Sequence, residues 1–153
     1  LSVPTWKRNL SKVEFLFQTY QLEIRLTQII YNTSSKYRKG FGDTLIADCD
    51  KALYHGRVAN GIFIRDKKTY EDRRLELEKM KAAIDNIGTH TYIWLEAIRH
   101  NDGISEKENA KLYDREDEIG GYVDRIIALI EGVKKTDRKT YKEKIVKEDT
   151  AHS

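Results

Sequence analysis

Cysteine occurs once in the 153 residues, proline once and methionine once. The lone Cys49 excludes an internal disulfide. It falls in an apolar helical register, which suits a buried thiol better than a nucleophile. A single proline, Pro4, leaves the chain without the punctuation that a many-stranded sheet usually carries. No run of 18 apolar residues exists, so the sequence holds no membrane-spanning helix. Lys7 and Arg8 are followed by a stretch that Glu14, Gln18 and Glu23 interrupt, so no secretory signal is read and a cytoplasmic setting is the default expectation. The four histidines, His55, His90, His100 and His152, are scattered without an i, i+4 partner or a Glu-x-x-His motif, which argues against a metal-bearing bundle. No local nucleophile motif occurs either, and the chain reads as a non-enzyme without a cofactor.

What is present is charge. Asp, Glu, Lys and Arg make up 35% of the chain, with a net charge of +3 and a pI near 8.8. The distribution says more than the total. Residues 1–42 carry Lys7, Arg8, Lys12, Arg25, Lys36, Arg38 and Lys39 against Glu14 and Glu23. Residues 105–124 reverse the balance. Such separation steers a polyanion to one side or pairs neighbouring subunits.

Apolar spacing predicts four helices. Ser11-Lys-Val-Glu14 reads as a capping box opening helix 1, which runs to about Tyr31 or Asn32. Val13, Leu16, Phe17, Tyr20 and Ile24 form one stripe; Phe15, Leu22, Leu26, Ile29 and Ile30 form another. That surface is wider than one buried face needs, so helix 1 is central or also meets another subunit. Helix 2 spans about Asp43 to Ala59, with Leu45, Ile46, Cys49, Ala52, Leu53, Gly56 and Ala59 inward and Asn60-Gly61 as its stop. Helix 3 starts near Thr69, with Glu71 and Asp72 in its first turn. Its 3–4 alternation through Leu77, Met80, Ile84, Ile87, Thr91, Trp94 and Ile98 is the strongest periodicity in the chain. Helix 4 starts at Ser105, with Glu108 completing a second capping box, and carries Leu112, Ile119, Val123, Ile126, Ile130 and Val133. Gly120-Gly121 is either a weak point or a place of close helix approach, and Asp114, Glu116, Asp117 and Glu118 are either a solvated face or a salt-bridge surface between subunits.

Together these predict an all-α, up-down four-helix bundle over residues 11–133. A short N-terminal arm, 1–10, is expected to precede it, with Trp6 either tucked against the bundle or serving as a stacking or docking surface ahead of Lys7 and Arg8. A Lys-rich extension, 134–153, follows; it lacks a convincing apolar stripe, and helix 4 is expected to fray there or to continue as a mobile extension. The connector Lys36-Tyr-Arg-Lys-Gly-Phe-Gly-Asp43 packs cations, aromatics and glycines together. Its spacing is not a nucleotide-binding fingerprint, but Lys36, Arg38 and Lys39 suit phosphates while Tyr37 and Phe41 offer stacking surfaces. Lys67 and Lys68 continue the basic theme in the second connector.

Several short pieces carry a resemblance. Ser2-Val3-Pro4 with Lys7-Arg8, Ser11-Lys12-x-Glu14-Phe15, Ala59-Asn60, Tyr70-Glu71-Asp72-Arg73-Arg74 and Ile119-Gly120-Gly121 occur in an order that resembles the accessory variability determinant (Avd) proteins of diversity-generating retroelements, and the related four-helix proteins encoded by intervening sequences of 23S ribosomal RNA genes. The resemblance implies a barrel-like homopentamer with a basic surface and no catalysis of its own. It further implies that the chain binds a reverse transcriptase and template RNA or cDNA during mutagenic copying, with Arg73 and Arg74 added to the nucleic-acid contacts. The alternative is a ribosomal-RNA-associated or orphan four-helix interaction protein without a polymerase partner.

Overall fold

The computed structural model describes residues 13–33, 38–100 and 103–147. Among these are four long helices and no strand: α1 (Glu14–Tyr31), α2 (Phe41–Gly61), α3 (Lys67–Arg99) and α4 (Glu106–Thr140). A π-helical turn, Tyr141–Val146, continues directly from α4.

The predicted stripes are where the core lies. Leu77, Met80, Ile84, Ile87, Thr91, Trp94 and Ile98 are all buried along α3, and Leu112, Ile119, Val123, Ile126 and Ile130 along α4, with Val133 half-buried. On α2 the inward set is buried except Ile46, which is half-buried. The two stripes of α1 separate. Phe15, Leu22, Leu26, Ile29 and Ile30 enter the core with Leu16, whereas Phe17 and Tyr20 are half-buried and Ile24 is exposed.

Paired residues fix the register. Gly42 lies under Ile30 and Gly56 under Leu16, so α1 and α2 run antiparallel. Asp48 meets His90 at 2.5 Å and His55 meets Glu76 at 2.6 Å, so α2 and α3 do too. From one end to the other, α3 and α4 are tied by Arg73–Asp137, Glu78–Lys134, Lys81–Glu131 and Arg99–Glu116. Arg25 of α1 pairs with Glu118 of α4 and closes the ring. The result is an up-down four-helix bundle. The α1–α2 and α3–α4 turns share one end; the α2–α3 connector and the C-terminal part of α4 share the other.

Helix boundaries depart from expectation where a better cap was available. Asp66, not Thr69, caps α3: its Oδ1 accepts the Thr69 N–H at 2.8 Å, and the Thr69 hydroxyl accepts the Asp66 N–H at 3.0 Å. Starting at Lys67, the helix leaves Glu71 and Asp72 beyond its first turn. Helix α2 begins two residues earlier than predicted, at Phe41 after Gly40, and takes in Asn60 and Gly61; it ends where Ile62 turns extended. Ser105 caps α4 as expected, accepting the Glu108 N–H at 3.1 Å. The box proposed at Ser11, and the arm with Trp6, lie outside the described residues.

The larger correction concerns the tail. Helix α4 does not fray at 133 but runs to Thr140, because Asp137 is buried against Arg73 and Tyr141 lies flat on Tyr70. The acids of α4 are also not simply a solvated face. Glu116 and Glu118 pair with arginines of α3 and α1, while Asp114 and Asp117 are exposed.

The glycines divide by surroundings. A Cβ on Gly56 would stand 2.7 Å from Leu16 Cδ2 and 2.8 Å from Met80 Sδ, so three helices meet over this hydrogen. At Gly120 and Gly132 nothing lies within 4 Å, and at Gly121 only Arg125 is near, so Gly120-Gly121 is a weak point and not a helix contact. Gly120→Ala and Gly132→Ala should each raise stability by about 1 kcal/mol through helix propensity. Gly56→Val should lower it by about 2 kcal/mol through overpacking. Urea unfolding followed by circular dichroism measures both; equal effects at positions 56 and 132 would contradict the packing described.

Candidate nucleic-acid interface

The predicted site residues fall at opposite ends of the bundle. Near the start of α2, Arg38 is half-buried and Lys39 exposed, while Lys36 and Tyr37 lie outside the described residues. Gly40 takes φ 90°, the left-handed region that glycine favours, and so turns the chain into α2. Phe41 is half-buried and packs against the core, so it is an anchor for this turn and not an open stacking surface. Gly42 supplies close approach: a Cβ there would sit 2.9 Å from Ile30 Cγ2.

The second group gathers where α3 begins, and α2, with its 21 residues, puts about 30 Å between the two groups. Lys67 and Lys68 are highly exposed, with side chains 75% and 81% accessible. Lys68 Nζ donates to Asp72 at 2.7 Å, and that bond, reinforced by the charge of Asp72, holds its ammonium above the usual lysine range. Lys67 faces Glu71 more loosely at 3.9 Å.

Arg73 has a different job from the one its sequence suggested. Its Nε donates to Asp137 Oδ2 at 2.6 Å, and its Nη1 donates to the carbonyls of Ala59 at 2.9 Å and Ile62 at 3.2 Å. One guanidinium thus joins the end of α2, the start of α3 and the last turn of α4, and few of its donors are left for a phosphate. Arg74 is half-buried and donates to the Tyr70 hydroxyl at 3.2 Å. Tyr70 itself stacks on Tyr141, with ring centroids 4.4 Å apart and planes within 1° of parallel.

This docking brings in cations that the sequence reading left in a mobile tail. Arg138 and Lys139 in the last turn of α4, and Lys142 and Lys144 in the π-helical turn, are exposed beside the start of α3. Arg65 of the connector is exposed at the same end. Lys134, by contrast, is mostly buried between Glu78 and Glu131, and the Glu78 bond keeps its ammonium above the ordinary range despite burial. The residues that dock this end are Asp137 and Tyr141, an acid and an aromatic within a Lys-rich run, each with a partner on α3 that spacing alone does not reveal.

The arrangement is a cationic end built around two stacked tyrosines, able to neutralise phosphates and to sit beside bases. Among the described residues no group of three or more His, Cys, Asp or Glu is placed to hold a metal ion, and no helix is long and apolar enough to cross a membrane. A groove of about 310 Å³ follows the outer face of α1, lined by Tyr20, Glu23, Ile24, Thr27 and Gln28; none of the predicted contacts borders it. Compared with known proteins, the chain matches no protein-family model, no curated protein and no solved structure.

The linking role of Arg73 has a measurable consequence. Its side chain is 17% exposed and that of Asp137 13%, so Arg73→Met leaves a largely buried carboxylate without its cation and should cost about 3 kcal/mol. Arg73→Met combined with Asp137→Leu should recover more than half of that loss in urea unfolding. A loss in the double variant equal to the sum of the two single losses would mean that the pair is not coupled.

Proposed function

We propose that this chain is a non-catalytic nucleic-acid-binding subunit that grips a phosphate backbone with the end formed by the start of α3 and the C-terminal part of α4. The contacts are Arg65, Lys67, Lys68 and Arg74 from one side and Arg138, Lys139, Lys142 and Lys144 from the other, with the Tyr70–Tyr141 stack between them. The observation that carries this reading is the docking of the basic C-terminal turn onto α3 through Asp137 and Tyr141, which turns two separate runs of charge into one surface. Arg38 and Lys39, with Lys36 and Tyr37 beside them in sequence, form a second and more distant contact.

The role in which such a subunit acts follows the resemblance of its short motifs to Avd proteins. On that reading the chain serves a reverse transcriptase as an accessory subunit, holds template RNA or cDNA during mutagenic copying, and assembles as a barrel-like homopentamer. The exposed apolar residues on the outer face of α1, Ile24 and Tyr31, are compatible with a covered subunit surface.

Binding to a fluorescently labelled single-stranded RNA, followed by anisotropy across a salt series, tests the site. Affinity should fall steeply as salt rises. Reversing three cations, Arg138→Glu with Lys139→Glu and Lys142→Glu, should reduce the slope of log affinity against log salt by about 2, at roughly 0.7 per phosphate contact on a single strand. Reversing Arg38 and Lys39 should change it less. Unchanged binding in the triple variant would place the interface elsewhere.

A further inference from the structure

Just past the end of α2 the sequence sets three apolar residues in a row, Ile62, Phe63 and Ile64, and two of them turn inward. Ile62 is extended, with φ −93° and ψ 113°, and residues 62–65 form no helix before α3 begins. In extended backbone, successive side chains point to opposite sides. Burial follows that rule: Ile62 and Ile64 are half-buried, while Phe63 and Arg65 are exposed. Phe63 is 71% accessible. Its ring and the Arg65 guanidinium therefore leave the same side of the connector, from Cα atoms about 6.6 Å apart at the rise of an extended chain.

The connector is braced at both ends. The Ile62 N–H donates to the Ala59 carbonyl at 3.1 Å, and the carbonyls of Ala59 and Ile62 both accept from Arg73 Nη1. Farther on, the N–H groups of Arg65 and Asp66 donate to the Thr69 hydroxyl oxygen at 2.8 and 3.0 Å. Phe63 is thus presented on fixed backbone, and a ligand meeting it does not have to order the loop first. Its surroundings are cationic: Arg65, Lys67 and Lys68 follow it and are exposed. Asp66, the acid among them, is turned back on α3, its Oδ1 accepting from the Thr69 N–H at 2.8 Å and from the Thr69 hydroxyl at 2.9 Å. Arg73 grips the Ile62 carbonyl and Asp137 together, so the last turn of α4, with Arg138 and Lys139 exposed, stands beside the connector.

We propose that Phe63 is a base-stacking residue, so that the basic end takes a single nucleic-acid strand in preference to a duplex, with one unpaired base on the Phe63 ring and a neighbouring phosphate on Arg65. This rests on the reading of that end as a phosphate-binding surface. The occupant follows from a flat apolar face and cations on one side of a fixed chain. Phosphates answer the charge, and an unpaired base offers the ring a face of its own. A duplex carries the same charge, but its bases are already stacked on one another, and a base must be drawn out before a side chain can cover it. Stacking on a phenyl ring is open to every base, so the strand is held without regard to its sequence. Phe63 is also more open than Tyr70 and Tyr141, which are half-buried and cover each other.

The experiment uses the full chain and three labelled ligands of equal length: an RNA strand, the same strand annealed to its complement, and an abasic strand that keeps the phosphates and lacks the bases. Anisotropy gives each affinity across a salt series. Phe63→Ala should weaken binding to the RNA strand about fivefold or more and leave the duplex and the abasic strand unchanged. The slope of log affinity against log salt should stay the same, because no charge is removed. Phe63→Leu, which keeps apolar bulk without a flat face, should behave like Phe63→Ala, and Phe63→Trp should bind the strand at least as tightly as the unaltered chain. If Phe63→Ala binds the RNA strand as the unaltered chain does, with salt dependence intact, stacking is overturned and the phosphate-binding end stands. Equal weakening on all three ligands overturns it as well, since the ring would then support the surface without meeting a base. Binding of Phe63→Leu at the unaltered level points to a merely apolar contact and overturns it too. If Phe63→Ala loses binding to phosphatidylserine vesicles and keeps full RNA binding, the ring belongs to a membrane contact and the proposal falls. An unaltered chain with no salt-dependent binding to any of the three overturns the phosphate-binding reading, and the stacking proposal with it.

Discussion

The Arg73 guanidinium is the contact on which the arrangement of the basic end depends. It neutralises Asp137, caps two carbonyls where α2 ends, and does so from the second turn of α3. A planar group with several fixed donors is suited to joining three helix ends at once; a lysine would satisfy one acceptor at a time. Because the acid it holds belongs to α4, the same contact decides that the last turns of α4 are helix lying on α3. Every cation beyond Asp137 owes its position to that pairing and to the tyrosine stack one turn later. Arg73, one of the candidate contacts that the resemblance added, thus organises the basic end of the bundle.

How charge is used within the molecule explains why its small net excess says little. Arginines and lysines of α1 and α3 are matched with acids of α4 along the length of the bundle, and these cross-links sit at the rim of an apolar interior that supplies most of the stability. Pairs of this kind contribute modestly one by one, but together they mark the register: shifting α4 by one turn against α3 would part all of them. Arg138, Lys139, Lys142 and Lys144 lie together where α4 ends, at the same end as Arg65, Lys67 and Lys68, so charge is spread less evenly than the total of +3 suggests.

The interior was legible in the sequence because it is a local signal repeated many times. Seven α3 positions from Leu77 to Ile98 sit on one face by spacing alone, and all seven are buried. Caps were legible to within three residues, with Asp66 displacing Thr69 because a carboxylate oxygen reaches the free amide and the Thr69 hydroxyl completes the box from the other side. The docked tail was not legible. Its two anchors are single residues, Asp137 and Tyr141, and the first has its partner 64 positions away. No periodicity marks such a pair, so a lysine-rich stretch without an apolar stripe reads as mobile. The same limit hid the polar contacts of α2: spacing places His90 and Asp48 on helices, but only the antiparallel register brings them together. Phe41 and Arg73, named as candidate contacts from residue type and from the resemblance, also make packing and ion-pair contacts that spacing does not reveal.

The order in which the helices touch has a kinetic consequence. Each helix packs on the one before it in the chain, and among the described residues α1 also meets α4 across the ring. Pairing of neighbouring helices keeps contact order below that of most sheet folds, and folds with low contact order reach the native state quickly. Assembly can proceed hairpin by hairpin, with Arg25 and Glu118 at the seam that must wait for both. A chain that folds this way exposes its apolar stripes only briefly, which lessens the opportunity for two copies to exchange helices before the ring is shut.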